Sequence, residues 1–297
     1  MLFKNLQIYR LKNWPVTIAD LEKRLAAHQL APCGSGEFAV TGWVSPRQDD
    51  AFVSAIAGQW LIAFGVEARL LPAAVVREEV AALAAVFVAE NGYRPGRKQM
   101  REWADEVTRK LLPRAFIRRR RTLVWIDPAN GWVGIDAASR AKAEEVLELL
   151  HKTFDHLPLA LLHTARSPTS AMSDWLANEE PVNFTIDMDC ELRDVSGDGS
   201  IVRYARYPLW GSDVRDYVTS GKLPTRLAMT FDKRVSFVFT EKLEIKRLEF
   251  LDVTREKLGV SDDAECLVDE EYVEFALMTG EFARLIPALV EALGGEA

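Results

Sequence analysis

Between Arg94 and Arg121 the chain gathers eleven basic side chains against only Glu102, Asp105 and Glu106, a local balance of +8 in a protein whose formal net charge is −7. Everything outside this window therefore sums to −15. The cations are Arg94, Arg97, Lys98, Arg101, Arg109, Lys110, Arg114 and the unbroken run Arg118, Arg119, Arg120 and Arg121. Like charges spaced so closely repel, which makes an ordinary solvated helix face a poor account of the run. Segregation of this kind produces a field that the chain average hides, and a concentrated basic surface attracts polyanions. The window points to a nucleic-acid surface.

With 297 residues, 48% hydrophobic and 27% charged, the chain has the composition of a soluble globular protein, in one large domain or two ordinary ones. No apolar run approaches the roughly 20 residues of a membrane span. The opening ten residues, Met1 to Arg10, lack the apolar core and cleavage site of a signal peptide. A cytoplasmic protein with no membrane partner is expected. Cys33, Cys190 and Cys266 are far apart, and with His28, His151, His156 and His163 they form no metal-ligand spacing. No metal or cofactor is expected.

Periodicity lays out the elements. Residues 2–11 read as a strand, and Thr17 as the cap of a helix through Leu21 and Leu25. Short β segments follow near 38–43 and 60–64, then a helix over 73–90 closed by Asn91-Gly92. Met100, Trp103, Val107 and Leu111 fall at helical spacing over 98–112, with the charges on the other side. Pro113 stops this helix and leaves Arg114-Ala115-Phe116 in a turn or tip. Residues 123–126 and 132–135 form a hairpin around Asp127-Pro128-Ala129-Asn130-Gly131. A helix over 139–152 carries Ala143, Val146, Leu147 and Leu150 on its apolar stripe. The acidic stretch 181–200 ends in the turn Ser196-Gly197-Asp198-Gly199. Strands at 227–231, 235–239 and 245–250 make a β-meander whose first turn is Asp232-Lys233-Arg234. Thr279 reads as the cap of a closing helix that Pro287 kinks. Strand, strand, helix in this order gives an α+β fold with antiparallel sheet. The chain reads as one unit, with sub-regions 1–92, 93–122, 123–180 and 181–297.

Catalytic motifs are scarce. The Gly221-Lys222 pair lacks the first glycine and the Ser/Thr of a P-loop, and Gly-x-Ser-x-Gly is absent. Cys33 has no marked base and reads as a buried, inert thiol. The best enzymatic alternative is a Mg²⁺-dependent nuclease. Glu244 and Lys246, on one strand face, join Asp232 to hold the metal and activate water. Yet Glu-x-Lys is common in exposed strands, and Asp232 is explained as a turn residue. The alternating acids Asp187, Asp189 and Glu191 read as a solvated edge strand rather than a cation site. A single-strand binder stacking bases on Trp and Phe is a third reading. Aromatics make up only 9% of the chain, and most sit at apolar periodic positions, so core packing is their default role. The balance favours a binding protein without catalytic apparatus.

Several fixed pieces then carry a resemblance. They are Phe3-Lys4-Asn5-Leu6, Pro32-Cys33-Gly34-Ser35, Gly42-Trp43-Val44, Leu111-Leu112-Pro113-Arg114-Ala115-Phe116, Trp125-Ile126-Asp127, Leu277-Met278-Thr279-Gly280-Glu281 and the closing segment 291–297. In order and spacing the chain resembles the RdgC family of bacterial recombination-associated proteins from end to end. The resemblance implies a nucleoid protein that binds double-stranded DNA with little sequence preference and restrains recombinase-driven strand exchange. It implies a curved protomer that pairs with a second copy as a ring-shaped homodimer, duplex passing through a basic hole. By the same resemblance Phe116 is the aromatic at the tip where the ring closes. Arg114 and Arg118 then face the opening, and Arg203 and Arg206 face the hole, in a segment where Tyr204, Tyr207 and Pro208 depart from the family pattern. The expected DNA contacts are Arg94, Arg97, Lys98, Arg101, Arg114, Arg118 to Arg121, Arg203 and Arg206.

Overall fold

A computed structural model describes residues 3–47, 50–195, 197, 199–251 and 267–297. Leu2 of the first strand, Ser196 and Asp198 of the acidic turn, and Cys266 lie outside the described residues. In chain order the elements begin β1 (Asn5–Leu11), α1 (Ile18–Ala27), β2 (Ala39–Val44), β3 (Ser54–Ile56) and β4 (Gln59–Leu70). Next come α2 (Ala73–Asn91), α3 (Arg97–Leu111), a 3₁₀ turn (Leu112–Arg114), β5 (Phe116–Asp127) and β6 (Trp132–Ile135). Then follow α4 (Arg140–Thr153), β7 (Leu159–Leu161), α5 (Pro168–Ala177), β8 (Phe184–Asp194) and β9 (Ile201–Tyr204). The chain closes with α6 (Ser212–Thr219), β10 (Lys222–Phe231), β11 (Val235–Thr240), β12 (Glu244–Phe250) and α7 (Leu267–Ala292). The fold is α+β with a large antiparallel sheet.

Two compact bodies divide the chain. The first comprises Met1–Ile18, Val53–Leu61 and Leu123–Ala297; the second comprises Ala19–Phe52 and Ile62–Thr122.

In the first body β1 is central. It pairs with β6 on one side and β12 on the other, both antiparallel. The sheet continues through β11, β10, β8 and β9. The expected hairpin of β5 and β6 forms, Val124 opposite Ile135 and Asp127 opposite Trp132, so that Asp127 joins the strand rather than the connection. The meander turn is built on Asp232 (φ 46) and Lys233 (φ 56), with the Arg234 amide donating to the Phe231 carbonyl at 2.9 Å. Two left-handed central residues are what a tight hairpin following the sheet's twist demands. Phe282 of α7 is fully buried and packs against Phe3, Trp125 and Phe250 at centroid distances of 5.8, 5.3 and 6.1 Å.

Three expectations are corrected here. Thr279 caps nothing: α7 begins a dozen residues earlier, and the Thr279 hydroxyl donates back to the Ala276 carbonyl inside the helix. Burial on α4 includes Leu149, while Leu147 is only partly covered. Nor is β8 an edge strand at Glu191, since β9 pairs with Cys190–Arg193 on the side opposite β10 and Glu191 is buried.

The second body holds α1, whose Leu21 and Leu25 are fully buried, and the β2–β4 ladder running from Ala39–Ala68 to Val44–Ala63. At Gly42 the backbone of Leu30 comes so close that a Cβ would meet it at 2.4 Å. Two main-chain bonds, Leu30 to Trp43 and Trp43 to His28, hold that approach. α2 ends as expected at Gly92, whose left-handed φ of 75 lets its amide return to Val88. α3 packs on α2, with Trp103 against Phe87 at 5.7 Å.

Candidate nucleic-acid interface

In the second body the basic window is spread over a helix, a turn and half a strand. α3 turns Met100, Trp103 and Val107 toward its neighbour, which leaves Arg97, Lys98 and Arg101 in solvent, with Arg94 in the loop before it. Lys98 sits 4.0 Å from Glu102 on the exposed surface, a pair of little energetic weight. Pro113 has no amide to continue the helix, so the chain tightens into the 3₁₀ turn and leaves as an extended strand.

Arg69 pins that turn. Its guanidinium donates to the carbonyls of Leu112 (3.3 Å) and Pro113 (3.2 Å), and also to those of Gly34 (3.1 Å) and Cys33 (3.2 Å). A single planar fork thereby holds the Pro32–Gly36 loop and the segment carrying Arg114 together. Cys33 is buried, as expected.

Arg118, Arg119, Arg120 and Arg121 occupy the first half of β5 and are all exposed. The two-residue period of a strand separates them into two pairs. Arg119 Nε donates to buried Glu67 at 2.7 Å, and Arg121 donates to the Pro46 carbonyl at 3.1 Å. Arg118 and Arg120, on the other face, have no ion-pair partner among the described residues. The Cys33 amide, at 2.9 Å, and then Arg119 hold the Glu67 carboxyl below the usual carboxylate range. Phe116, at the start of the strand, is 85% exposed, with Ile117 beside it also in solvent.

Glu67 and Arg69 escaped the sequence reading, although the pattern Val66-Glu67-Ala68-Arg69 places both on one strand face. Their partners lie 34 to 52 residues away, and no local signal marks such a pairing.

Arg203 and Arg206 belong to the first body. Arg203, on β9, gives its Nε to Glu191 at 2.7 Å. Burial works against the Glu191 charge, yet Thr225 and Arg203 outweigh it and lower its pKa. Arg206 has a left-handed φ of 53, and its amide donates to Asp189 at 2.8 Å, which leaves its side chain in solvent. Next to Glu191, burial pushes the Cys190 thiol up to about 12, so it is unreactive at neutral pH.

The nuclease array is not assembled. Asp232 lies at the Phe250 end of β12, engaged by Arg284 and Arg234, whereas Glu244 begins the strand and pairs with Lys246 at 2.7 Å. Six residues of strand separate the two ends, about 20 Å at ~3.3 Å per residue. Among the described residues no group of three His, Cys, Asp or Glu side chains is placed to hold a metal ion. No described helix is long and apolar enough to cross a membrane.

Comparison with known proteins covers the whole length. A family model described as "Putative exonuclease, RdgC" matches residues 1–296. Recombination-associated protein RdgC of Dechloromonas aromatica (strain RCB) is 50% identical over 302 residues, spanning 100% of this chain and 98% of its own. Its counterparts in Janthinobacterium sp. (strain Marseille) and Cupriavidus pinatubonensis are each 48% identical, over 100% of this chain and 99% of theirs. With a family match from end to end and identity near one half, the chain belongs to the RdgC family of recombination-associated proteins.

Proposed function

We propose that the protein binds double-stranded DNA without sequence preference and, by occupying duplex, restrains recombinase-driven strand exchange. The observation that carries this reading is the exposed cation set of the second body, in which Arg118 and Arg120 point away from the face that Glu67 neutralises. Arginine and lysine neutralise phosphates and release condensed counterions, which gives affinity with no sequence information. Concentration of cations in one window fits DNA affinity in a protein of sequence pI 5.3. No chemistry on the DNA is invoked.

The same reading has two copies closing around the duplex as a ring, with Phe116 at the closure and Arg203 and Arg206 contributing to the lining. Support comes from apolar side chains that a lone chain leaves in water: Phe116 and Ile117 at the start of β5, and Leu83 and Val86 on α2. In this reading a second copy covers these four side chains. The nucleoid is where such a protein works. The test is solution mass combined with duplex retention. A dimer that stays on closed circular DNA in high salt, yet runs off linear DNA of the same sequence, fulfils the reading. A monomer, or equal loss from both DNAs, overturns the ring.

A further inference from the structure

Duplex binding uses Arg114 and its neighbours but gives no role to the Pro32-Cys33-Gly34-Ser35 turn. Arg69 of β4 joins the two. Its Nε donates to the Gly34 carbonyl at 3.1 Å and its Nη2 to that of Cys33 at 3.2 Å, while Nη1 serves both Leu112 and Pro113. Two residues back on the same strand face, Glu67 accepts from the Cys33 amide at 2.9 Å and from Arg119 Nε at 2.7 Å. Cys33 is thus held by its amide and its carbonyl alike. Gly34 is held in the same way, its amide donating to Glu37 at 2.8 Å. Beyond the anchor, the Ala115 amide returns to the Leu112 carbonyl at 3.1 Å, which ties the start of β5 to the same point.

A guanidinium beside this basic window gains by turning outward, away from like charges. Here each of its nitrogens is committed to a carbonyl instead, which leaves Arg69 little to offer a phosphate. The Leu112 and Pro113 carbonyls follow the C-terminal end of α3, where a helix leaves acceptors unfilled and favours a positive charge. Arg114 comes directly after them, exposed and without an ion-pair partner among the described residues. Without the clamp, nothing opposes its drift from the like charges of Arg118 to Arg121. We propose that Arg69 is a positioning residue: by tying the 3₁₀ turn to the Pro32–Gly36 loop it holds Arg114 where it meets a phosphate, without meeting one itself. The inference rests on the DNA-binding reading above.

The experiment titrates a labelled mixed-sequence duplex by anisotropy across a range of salt, with the full-length wild type, Arg69→Lys, Arg114→Ala and the two combined. Arg69 is only half-buried and lysine keeps its stem and charge, so the variant folds. Losing one phosphate contact lowers the slope of log K against log salt by ~0.9 and the affinity by about 15-fold near 50 mM salt. Arg114→Ala is expected to show that loss. A single ammonium cannot span both segments as the planar fork does, so Arg69→Lys is expected to show the same loss, and the combination no more than either alone. Arg118→Ala added to Arg69→Lys is expected to cost its own ~0.9 of slope, because the strand beyond the turn keeps its partners. Wild-type slope and affinity in Arg69→Lys overturn the proposal, since charge alone then suffices. Full additivity with Arg114→Ala also overturns it, by making Arg69 an independent contact. So does a wild-type slope in Arg114→Ala, which leaves nothing to position, and so does an Arg118→Ala effect that vanishes beside Arg69→Lys, the mark of a strand come apart. A wild type without duplex affinity overturns the DNA reading itself, and the positioning role with it.

Discussion

Replacing Arg118 and Arg120 together by alanine separates phosphate contacts from structural ion pairs. Both side chains are exposed on the face of β5 opposite Glu67, and neither has an ion-pair partner among the described residues. Their removal strands no buried charge, so the fold is expected to keep its stability. If each neutralises one phosphate, the slope of log K against log salt falls in magnitude by about 1.8 per protomer engaged, at ~0.9 per contact. The same relation makes the affinity loss about 200-fold near 50 mM salt and about 20-fold near 200 mM. Anisotropy titrations of a mixed-sequence duplex across that salt range read both quantities. A double variant with the wild-type slope refutes the reasoning, because a phosphate contact cannot be lost without its counterion. A loss of affinity that is the same at every salt concentration refutes it equally.

Two further outcomes follow from the same geometry. Phe116→Ser is expected to weaken dimer mass and retention on circular DNA with the fold intact, since Phe116 is 85% exposed and supports no core; wild-type values for both in sedimentation and salt-challenge experiments refute its place at a closure. Glu67 has its folded pKa below the ordinary 4.5, through the Cys33 amide first and Arg119 second. It therefore contributes stability above its unfolded pKa, and loses it as pH falls through the folded value. Glu67→Gln is expected to flatten the acid limb of the urea midpoint plotted against pH, and parallel curves for variant and wild type remove the assignment.

Local patterns account for much of what was legible beforehand. The α2 stop at Gly92, the β5–β6 hairpin and the meander turn at Asp232-Lys233 are each dictated by a few adjacent residues whose backbone preferences suffice. Where a local cue misled, a partner that the pattern does not mark had overridden it. Thr279 looks like a cap because hydroxyls compete for backbone groups, yet the same hydroxyl is satisfied within a helix by a carbonyl three residues back. The acids of β8 look solvated because alternation with polar residues suggests an edge, until β9 and β10 close on both sides and Arg203 and Thr225 supply partners for Glu191.

The interface divides in the same way. The sequence alone established that cations concentrate between Arg94 and Arg121, that they repel, and that the chain resembles a family of recombination-associated proteins. Charge count and motif order survive any fold. Only the tertiary structure decided that the arginine run is a strand, so that its period of two gives Arg119 and Arg121 to internal partners and leaves Arg118 and Arg120 to solvent. It alone placed Glu67 and Arg69 beneath the turn, because strand pairing joins residues that the chain keeps tens of positions apart.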